Sequence, residues 1–288
     1  MNYRHAFHAG NFADVLKHCI LVLALERMTR KPKPLRVIDT HARIGRYRLD
    51  GPEAARTEEW RGGIGRLLGP DAAPLPSEIA LLIAPYLDAV RRLNSDGELV
   101  VYPGSPDLAL SLMRADDRLV AAELHPEDFE TLRWAIEGDF RAKAMRLDGW
   151  QAIRALLPPK ERRGLVLVDP PFEAPGEAGR LVAALADGVR RFATGTFLLW
   201  LPIKDPVAVT KIAAGLAGLG LEKMLWAELR TEAAATAEGL SATAVVILNP
   251  PFGLEEQLAA LLPFLAERLA TGPGAGWRLV PVEPRLRL

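Results

Sequence analysis

The chain has 288 residues, 49% of them hydrophobic, and 36 Lys+Arg balance 36 Asp+Glu for a formal net charge of zero. That is enough apolar material for one large α/β domain or two small ones, and it leaves no global positive field to capture nucleic acid, so such binding would need local patches. A single cysteine, Cys19, excludes a disulfide framework and any cysteine-based zinc site.

The first twelve residues contain no apolar signal core, and no uninterrupted apolar run reaches membrane-spanning length, so a cytoplasmic protein without a membrane partner is expected. FADVLKHCILVLALERM (12–28) has helical periodicity with Asn11 as its N-cap. A basic turn, TRKPKP, leads into a short apolar strand, LRVIDT (35–40). Residues 51–98 contain no convincing strand; SEIALLIAPYLDAVRRLN (77–94) reads as helix and GPDAAPLP (69–76) as loop, so this stretch reads as a small helical insertion. Strand-like runs follow at 118–125, 142–148, 164–171, 195–202, 223–230 and 242–251, most of them separated by helical stretches. Strands alternating with helices imply parallel pairing in a layered α/β sheet. Seven strands, the last three close together, match the outline of a Rossmann-like methyltransferase. The chain reads as one domain, 1–288, carrying 51–98 as an inserted helical subdomain.

Open parallel sheets bind ligands beyond the carboxyl ends of their strands. The first strand runs into DTHARIGRY, where Gly45 alone supplies flexibility; this is neither GxGxxG nor a P-loop, which argues against a dinucleotide or a nucleoside triphosphate. Glu123, ending RLVAAE, is placed to accept from two vicinal ribose hydroxyls, and Asp148, in LDGW, from an adenine amine. Either would otherwise cap the following helix. The next strand ends LVLVDPPFE (165–173). Proline fixes φ and donates no N–H, so Pro170 and Pro171 stop the strand and hold Asp169 rigidly at its end. A carboxylate and a backbone carbonyl can both accept from the N–H groups of an exocyclic amine, directing its lone pair at an electrophilic methyl, while Phe172 stacks on the base. ILNPPF (247–252) matches the same pattern, but it ends the last of the seven strands with too little chain beyond it to build a cofactor half, so it reads as structural. The histidines, including His5 and His8, show no metal-ligand spacing, and no metal is expected.

YRHAFHAGNFADVLKH, DTHARIGRY, YPGSP, AAELHP, LDGW, VDPPFE, RFATGT and ILNPPF occur in this order along nearly the whole chain. The set closely resembles the bacterial ribosomal RNA large-subunit methyltransferase J family, which forms N6-methyladenine in 23S rRNA using S-adenosylmethionine. The resemblance implies a Rossmann-like class I methyltransferase fold with an inserted helical subdomain. It implies Asp169 as the catalytic acceptor, and His18, His41, Ser105, Glu123, Asp148, Gly149 and Asp169 around the cofactor. It also puts Tyr3 beside the substrate, with Pro170 and Phe172. Read from the residues alone, His18 would be a buried, hydrogen-bonded histidine and Ser105 a helix cap. Two positions depart from the family pattern: Arg43 stands where glycine is usual, and Phe172 where tyrosine is usual. Arg43 must either point away from the cofactor or alter its loop. A monomer acting on free rRNA or an early particle is expected. Two alternatives stay open at this point. One is transfer to a protein glutamine amide; the other is a non-catalytic RNA-binding module using basic segments such as 27–36 and 160–163.

Overall fold

In a computed structural model, which describes residues 4–173, 176–233 and 239–282, the chain folds around a mixed sheet. Ten strands run in chain order: β1 (Arg36–Asp39), β2 (Arg46–Arg48), β3 (Val101–Pro103), β4 (Arg118–Glu123), β5 (Ala142–Arg146), β6 (Gly164–Val168), β7 (Thr196–Pro202), β8 (Met224–Arg230), β9 (Ala242–Leu248) and β10 (Gly276–Pro281). The main sheet has the order β10-β8-β9-β7-β6-β1-β4-β5. From β5 to β7 all neighbours pair in parallel. β9 pairs antiparallel with both β7 and β8, and β10 antiparallel with β8. The expectation of parallel pairing therefore holds for the first half of the sheet only. Only residues 231–241 separate β8 from β9, fewer than the dozen or more that a parallel crossover needs, and an antiparallel pair permits so short a return. All seven strand-like runs form strands, and a further short strand near the C-terminus adds β10 at the edge.

The helix α1 (Phe12–Thr29) begins where expected: the Asn11 side chain accepts from the backbone N–H of Ala13 at 2.9 Å and of Asp14 at 3.0 Å. It is apolar on all faces and buried almost throughout, including its charged residues Asp14 and Lys17. An all-round apolar helix belongs inside a core, and here it packs against β9 and the helices Ser105–Leu112 and Leu254–Arg268.

Residues 51–98 hold five short helices and no strand among the described residues. The expected helix over 77–94 is two, Ser77–Leu82 and Ala84–Arg92. Pro85 causes the break: it has no N–H to donate and its ring obstructs the preceding turn. β2 and β3 pair antiparallel, Tyr47 opposite Tyr102, and tie together the two ends of this segment. Ile64, Ile79, Ile83, Tyr86 and Val90 from it join the same core as α1.

Candidate active site

The strand order reverses between β1 and β6: β4 and β5 extend one way, β7 and β9 the other. The carboxyl ends of β1, β4, β5 and β6 converge beside this switch point, where open α/β sheets form their ligand crevice.

Asp39 closes β1. Its Oδ2 accepts from Ser105 Oγ at 2.6 Å and its Oδ1 from the His41 backbone N–H at 3.2 Å. Burial outweighs these bonds and pushes the Asp39 carboxyl up to about 6. Thr40 Oγ1 donates to the Leu167 carbonyl at 2.9 Å and lies 2.8 Å from His41 Nδ1. A hydroxyl has one proton, so Nδ1–H of His41 donates to Thr40 and Nε2 carries the lone pair. Burial pushes the His41 pKa down to about 3, so this ring is neutral at physiological pH. Gly149 packs on its edge: a Cβ there would lie 2.4 Å from the Thr40 carbonyl oxygen and 2.5 Å from His41 Nε2. Only glycine fits so close an approach.

Glu123 closes β4 and is buried; Oε2 accepts from Arg43 N–H at 3.0 Å, Oε1 from His125 N–H at 2.8 Å. Asp148 caps the helix Gly149–Leu156, its Oδ1 accepting from Trp150 N–H at 3.0 Å and Gln151 N–H at 3.1 Å. Ser105 sits at the first turn of its helix but spends its hydroxyl on Asp39, with no side-chain cap bond there. His18 is buried within α1, with Nδ1 2.7 Å from Tyr102 OH, itself 3.0 Å from Tyr86 OH. Burial pushes the His18 pKa down to about 3. Tyr3 lies outside the described residues.

Arg43 resolves one departure from the resemblance. Its φ of 56° is left-handed, a conformation glycine adopts freely and other residues at a cost of about 1–2 kcal/mol. The loop keeps the shape glycine would give it. The side chain turns inward, and Nη2 donates to the Asp169 carbonyl at 3.1 Å. Arg43 thus links Glu123, through its backbone, to Asp169, through its guanidinium.

Asp169 ends β6 and is 8% exposed. Its Oδ2 accepts from Lys17 Nζ at 2.7 Å, and Lys17 also reaches Asp14 Oδ1 at 2.8 Å. Asp14 Oδ2 accepts from Gly10 N–H and pairs with His5 Nε2, each at 2.9 Å. Burial would raise both carboxyls, but the facing cations prevail: Lys17 and Arg43 hold Asp169 below the usual carboxylate range, and His5 and Lys17 hold Asp14 well below it. Asp169 therefore stays an anion, able to accept hydrogen bonds but poorly suited to store a proton. Lys17 and Asp14 escaped the reading of the residues. The signal was there: two charges three apart in a helix otherwise apolar on every face must be paired inside.

A cavity of about 670 Å³ opens at Asp169, with Lys17, Pro171, Phe172 and Trp200 among its walls. Pro170 is buried, and the cavity meets Pro171 instead. Phe172 has a left-handed φ of 54° and is half-buried, packed on the core while facing the cavity. Its ring lies 6.0 Å from that of Trp200, tilted by 59°. Trp200, within β7, is a second aromatic wall that the motif did not reveal. His41, Ser105, Glu123, Asp148 and Gly149 are not among the walls. They surround the ends of β1, β4 and β5, so Asp169 stands between that cluster of strand ends and the aromatic cavity.

Asp39, Glu123, Asp148 and Asp169 put carboxylates around these strand ends, which disfavours phosphate and suits a cationic, ribose-bearing cofactor. The second Pro-Pro turn differs. β9 runs antiparallel to β7, so Asn249 lies at the opposite edge of the sheet. Its Nδ2 donates to the carbonyls of Ala193 and Gly195, both at 2.8 Å, and Phe252 is 94% exposed. The NPPF turn clamps the entry to β7.

Residues 32–281 match the family described as ribosomal RNA large subunit methyltransferase D, RlmJ. The chain is 40% identical over 285 residues to ribosomal RNA large subunit methyltransferase J of Haemophilus influenzae, covering 99% of both. It is 40% identical over 269 residues to the protein of that name from Escherichia coli, covering 93% of this chain and 94% of the relative. A crystal structure of a Legionella pneumophila protein superposes with a TM-score of 0.87 at 30% identity, covering 96% of this chain and 98% of that one.

Proposed function

The chain belongs to the ribosomal RNA large subunit methyltransferase J family, and from that premise we propose that it methylates N6 of an adenine in 23S rRNA at the Asp169–Phe172 turn. The observation that carries this placement is Asp169, held as an anion between the acidic strand ends and the aromatic cavity. S-adenosylmethionine, when bound, supplies an electrophilic methyl group. Glu123 holds the ribose, Asp148 the adenine amine, and the loop 40–43 with Gly149 shapes the floor; His18 and Ser105 support that floor through Tyr102 and Asp39. Asp169 accepts from an N–H of the target amine and turns its lone pair toward the methyl. Phe172, beside Trp200, stacks on the extruded base, with Tyr3 contributing to the same subsite; Pro170, buried, holds the turn rigid while Pro171 meets the cavity. As the nitrogen–carbon bond forms, the methyl group's bond to the sulfonium sulfur would break and a neutral thioether would leave; the nitrogen's proton passes to solvent, since Asp169 is held too acidic to keep it.

The protein acts as a single domain with 51–98 inserted, as a monomer, in the cytoplasm, on free rRNA or an early particle. Among the described residues no helix is long and apolar enough to cross a membrane. The defining experiment incubates the protein with labelled S-adenosylmethionine and unmodified rRNA, then identifies the labelled nucleoside. N6-methyladenosine is expected; label in protein alone would refute the reading.

Glu123→Ala should weaken S-adenosylmethionine binding by about 1.5–3 kcal/mol, the worth of a charge-assisted hydrogen bond. Glu123 also fastens the backbone N–H groups of Arg43 and His125, so calorimetry is paired with a thermal melt. Undiminished affinity in a folded variant removes Glu123 from the site.

Phe172→Ala should lower kcat/KM for RNA about 5- to 150-fold, the worth of ~1–3 kcal/mol of base stacking. Phe172→Tyr should remain active because the π-face is kept. The ring is half-buried, so the alanine variant should lose less stability than the ~3–5 kcal/mol of a full core phenylalanine. A melt that falls by that full amount, with transfer rates unchanged, would make Phe172 a core residue only.

A further inference from the structure

The charged side chains around the aromatic cavity are mainly carboxylates: Asp14, Glu59, Asp169, Glu173 and Glu232 against Lys17 and Lys204, with His5 and His8. A phosphate backbone gains little there. Four arginines in and beside the inserted segment are already paired: Arg46 to Asp107, Arg48 to Asp50, Arg61 to Glu58 and Arg91 to Asp88. The opposite pole of the sheet differs.

At the amino ends of the neighbouring strands β4, β1 and β6, Arg118, Arg36 and Gly164 stand in register, with Arg163 just before β6. Three basic segments far apart in sequence meet here. Arg114 donates to the carbonyls of Thr29, Lys31 and Lys33, at 3.1, 2.5 and 3.0 Å. Arg163 donates to the Lys33 carbonyl at 2.7 Å and to that of Met28. These two guanidiniums hold the loop 29–33 in place and leave the exposed Lys31 and Lys33 side chains facing solvent, beside exposed Lys160 and Arg162. Burial, and after it the neighbouring Arg114, push the Arg163 pKa down. Nearby carboxylates are already engaged: Asp117 by Arg114, Glu161 by Arg36 and Glu26 by Arg30, leaving Asp116 exposed. At the edge of this face Phe140 is 74% exposed, with the Arg118 guanidinium 5.7 Å from its ring centre.

We propose that this pole is a second RNA-binding surface, on which Lys31, Lys33 and Lys160 contact the sugar–phosphate backbone of the rRNA and Phe140 stacks on an unpaired base. It rests on the rRNA reading above and extends it. Fixed carbonyls below and free ammonium groups above make a positive surface that needs no reorganisation to meet phosphates. An exposed aromatic beside arginine suits a base face in single-stranded RNA. β6 separates the two poles by about 20 Å of strand and turn. A small RNA in the aromatic cavity therefore does not reach the second surface, whereas a long rRNA bends round to it.

The test compares wild type with a triple variant, Lys31→Ala, Lys33→Ala and Lys160→Ala. Affinity is read by fluorescence anisotropy, separately from methyl transfer, on 23S rRNA and on the shortest fragment the wild type methylates. The exposed substitutions should leave the melting temperature and S-adenosylmethionine affinity unchanged. For the long RNA, affinity should fall about 10-fold at low salt, and the log–log salt slope by about 2, at ~0.7–0.9 per lost phosphate contact. For the short fragment, affinity, slope and kcat should be unchanged. Phe140→Ala should weaken long-RNA binding without changing the slope. Equal losses on both RNAs, or none on the long one, would overturn the proposal. So would a variant that loses binding to anionic phospholipid vesicles and keeps its RNA slope. Failure of the wild type to methylate either RNA would instead refute the functional reading, since binding is measured independently.

Discussion

Asp169→Ala should fold, retain some S-adenosylmethionine binding, and transfer methyl groups about 10²–10³-fold more slowly, the range for loss of one preorganised hydrogen-bonding group aimed at the charge that develops in the transition state. Its carboxylate sits at the rigid end of β6, braced by Lys17 through Oδ2 and by Arg43 through its own carbonyl. Asp169→Asn keeps an acceptor oxygen but not the charge that Lys17 needs, so it should fall between wild type and alanine. Asn249→Ala is the control: it should lower stability, because the Ala193 and Gly195 carbonyls lose their donor, while transfer persists. Single-turnover rates on rRNA for the three variants decide this. If Asn249→Ala abolishes transfer and Asp169→Ala does not, the other Pro-Pro turn carries the chemistry. The pH profile adds a check. With Asp169 depressed and His18 and His41 both near 3, none of these groups titrates around neutrality. An acid limb near pH 6 would instead report Asp39 and should vanish in Asp39→Asn.

Lys17→Met should cost about 3–5 kcal/mol, because it leaves the buried carboxylates of Asp14 and Asp169 without the cation between them. At ~2–4 °C per kcal/mol for a protein somewhat smaller than this one, the melting temperature should drop by about 10 °C. The sign of the pH effect follows from the two carboxyls. In the wild type both are held below their unfolded values, so their stabilisation is present above those values and is lost as pH falls through the native ones. In the variant burial dominates and the carboxyls rise, so the penalty is present at neutral pH and relieved on acidification. The gap between the two proteins should therefore narrow from pH 7.5 to pH 5. A gap that stays constant, or a drop of only 1–2 °C, would mean that solvent reaches this pair and that Lys17 contributes as a surface ion would.

Much of this molecule was legible in the sequence, for local reasons. Strand positions followed from short apolar runs bounded by turn residues. α1 and its Asn11 cap followed from periodicity and a side chain able to bond two free N–H groups. Pro170 and Pro171 stop a strand wherever it sits, so Asp169 had to stand at its end. Glu123, Asp148 and Asp169 were readable as a set because parallel strands present their carboxyl ends on one edge. Strand order along the chain already favoured Asp169 over the second Pro-Pro turn; tertiary structure adds that the antiparallel direction of β9 sends Asn249 to the far edge. It also decided what each charge does. Lys17 is 152 residues from Asp169 in sequence and 2.7 Å from it in space. Arg43, which local sterics would assign to glycine, accepts a left-handed backbone while its guanidinium braces the turn. The basic segments at 27–36 and 160–163, indistinguishable from solvated surface when read singly, become one face only after β1 and β6 pair. Backbone conformation depends mainly on neighbours along the chain and can be read there. The energy of a charge depends on which other charges and how little water lie within a few ångströms, and only the folded chain sets those distances.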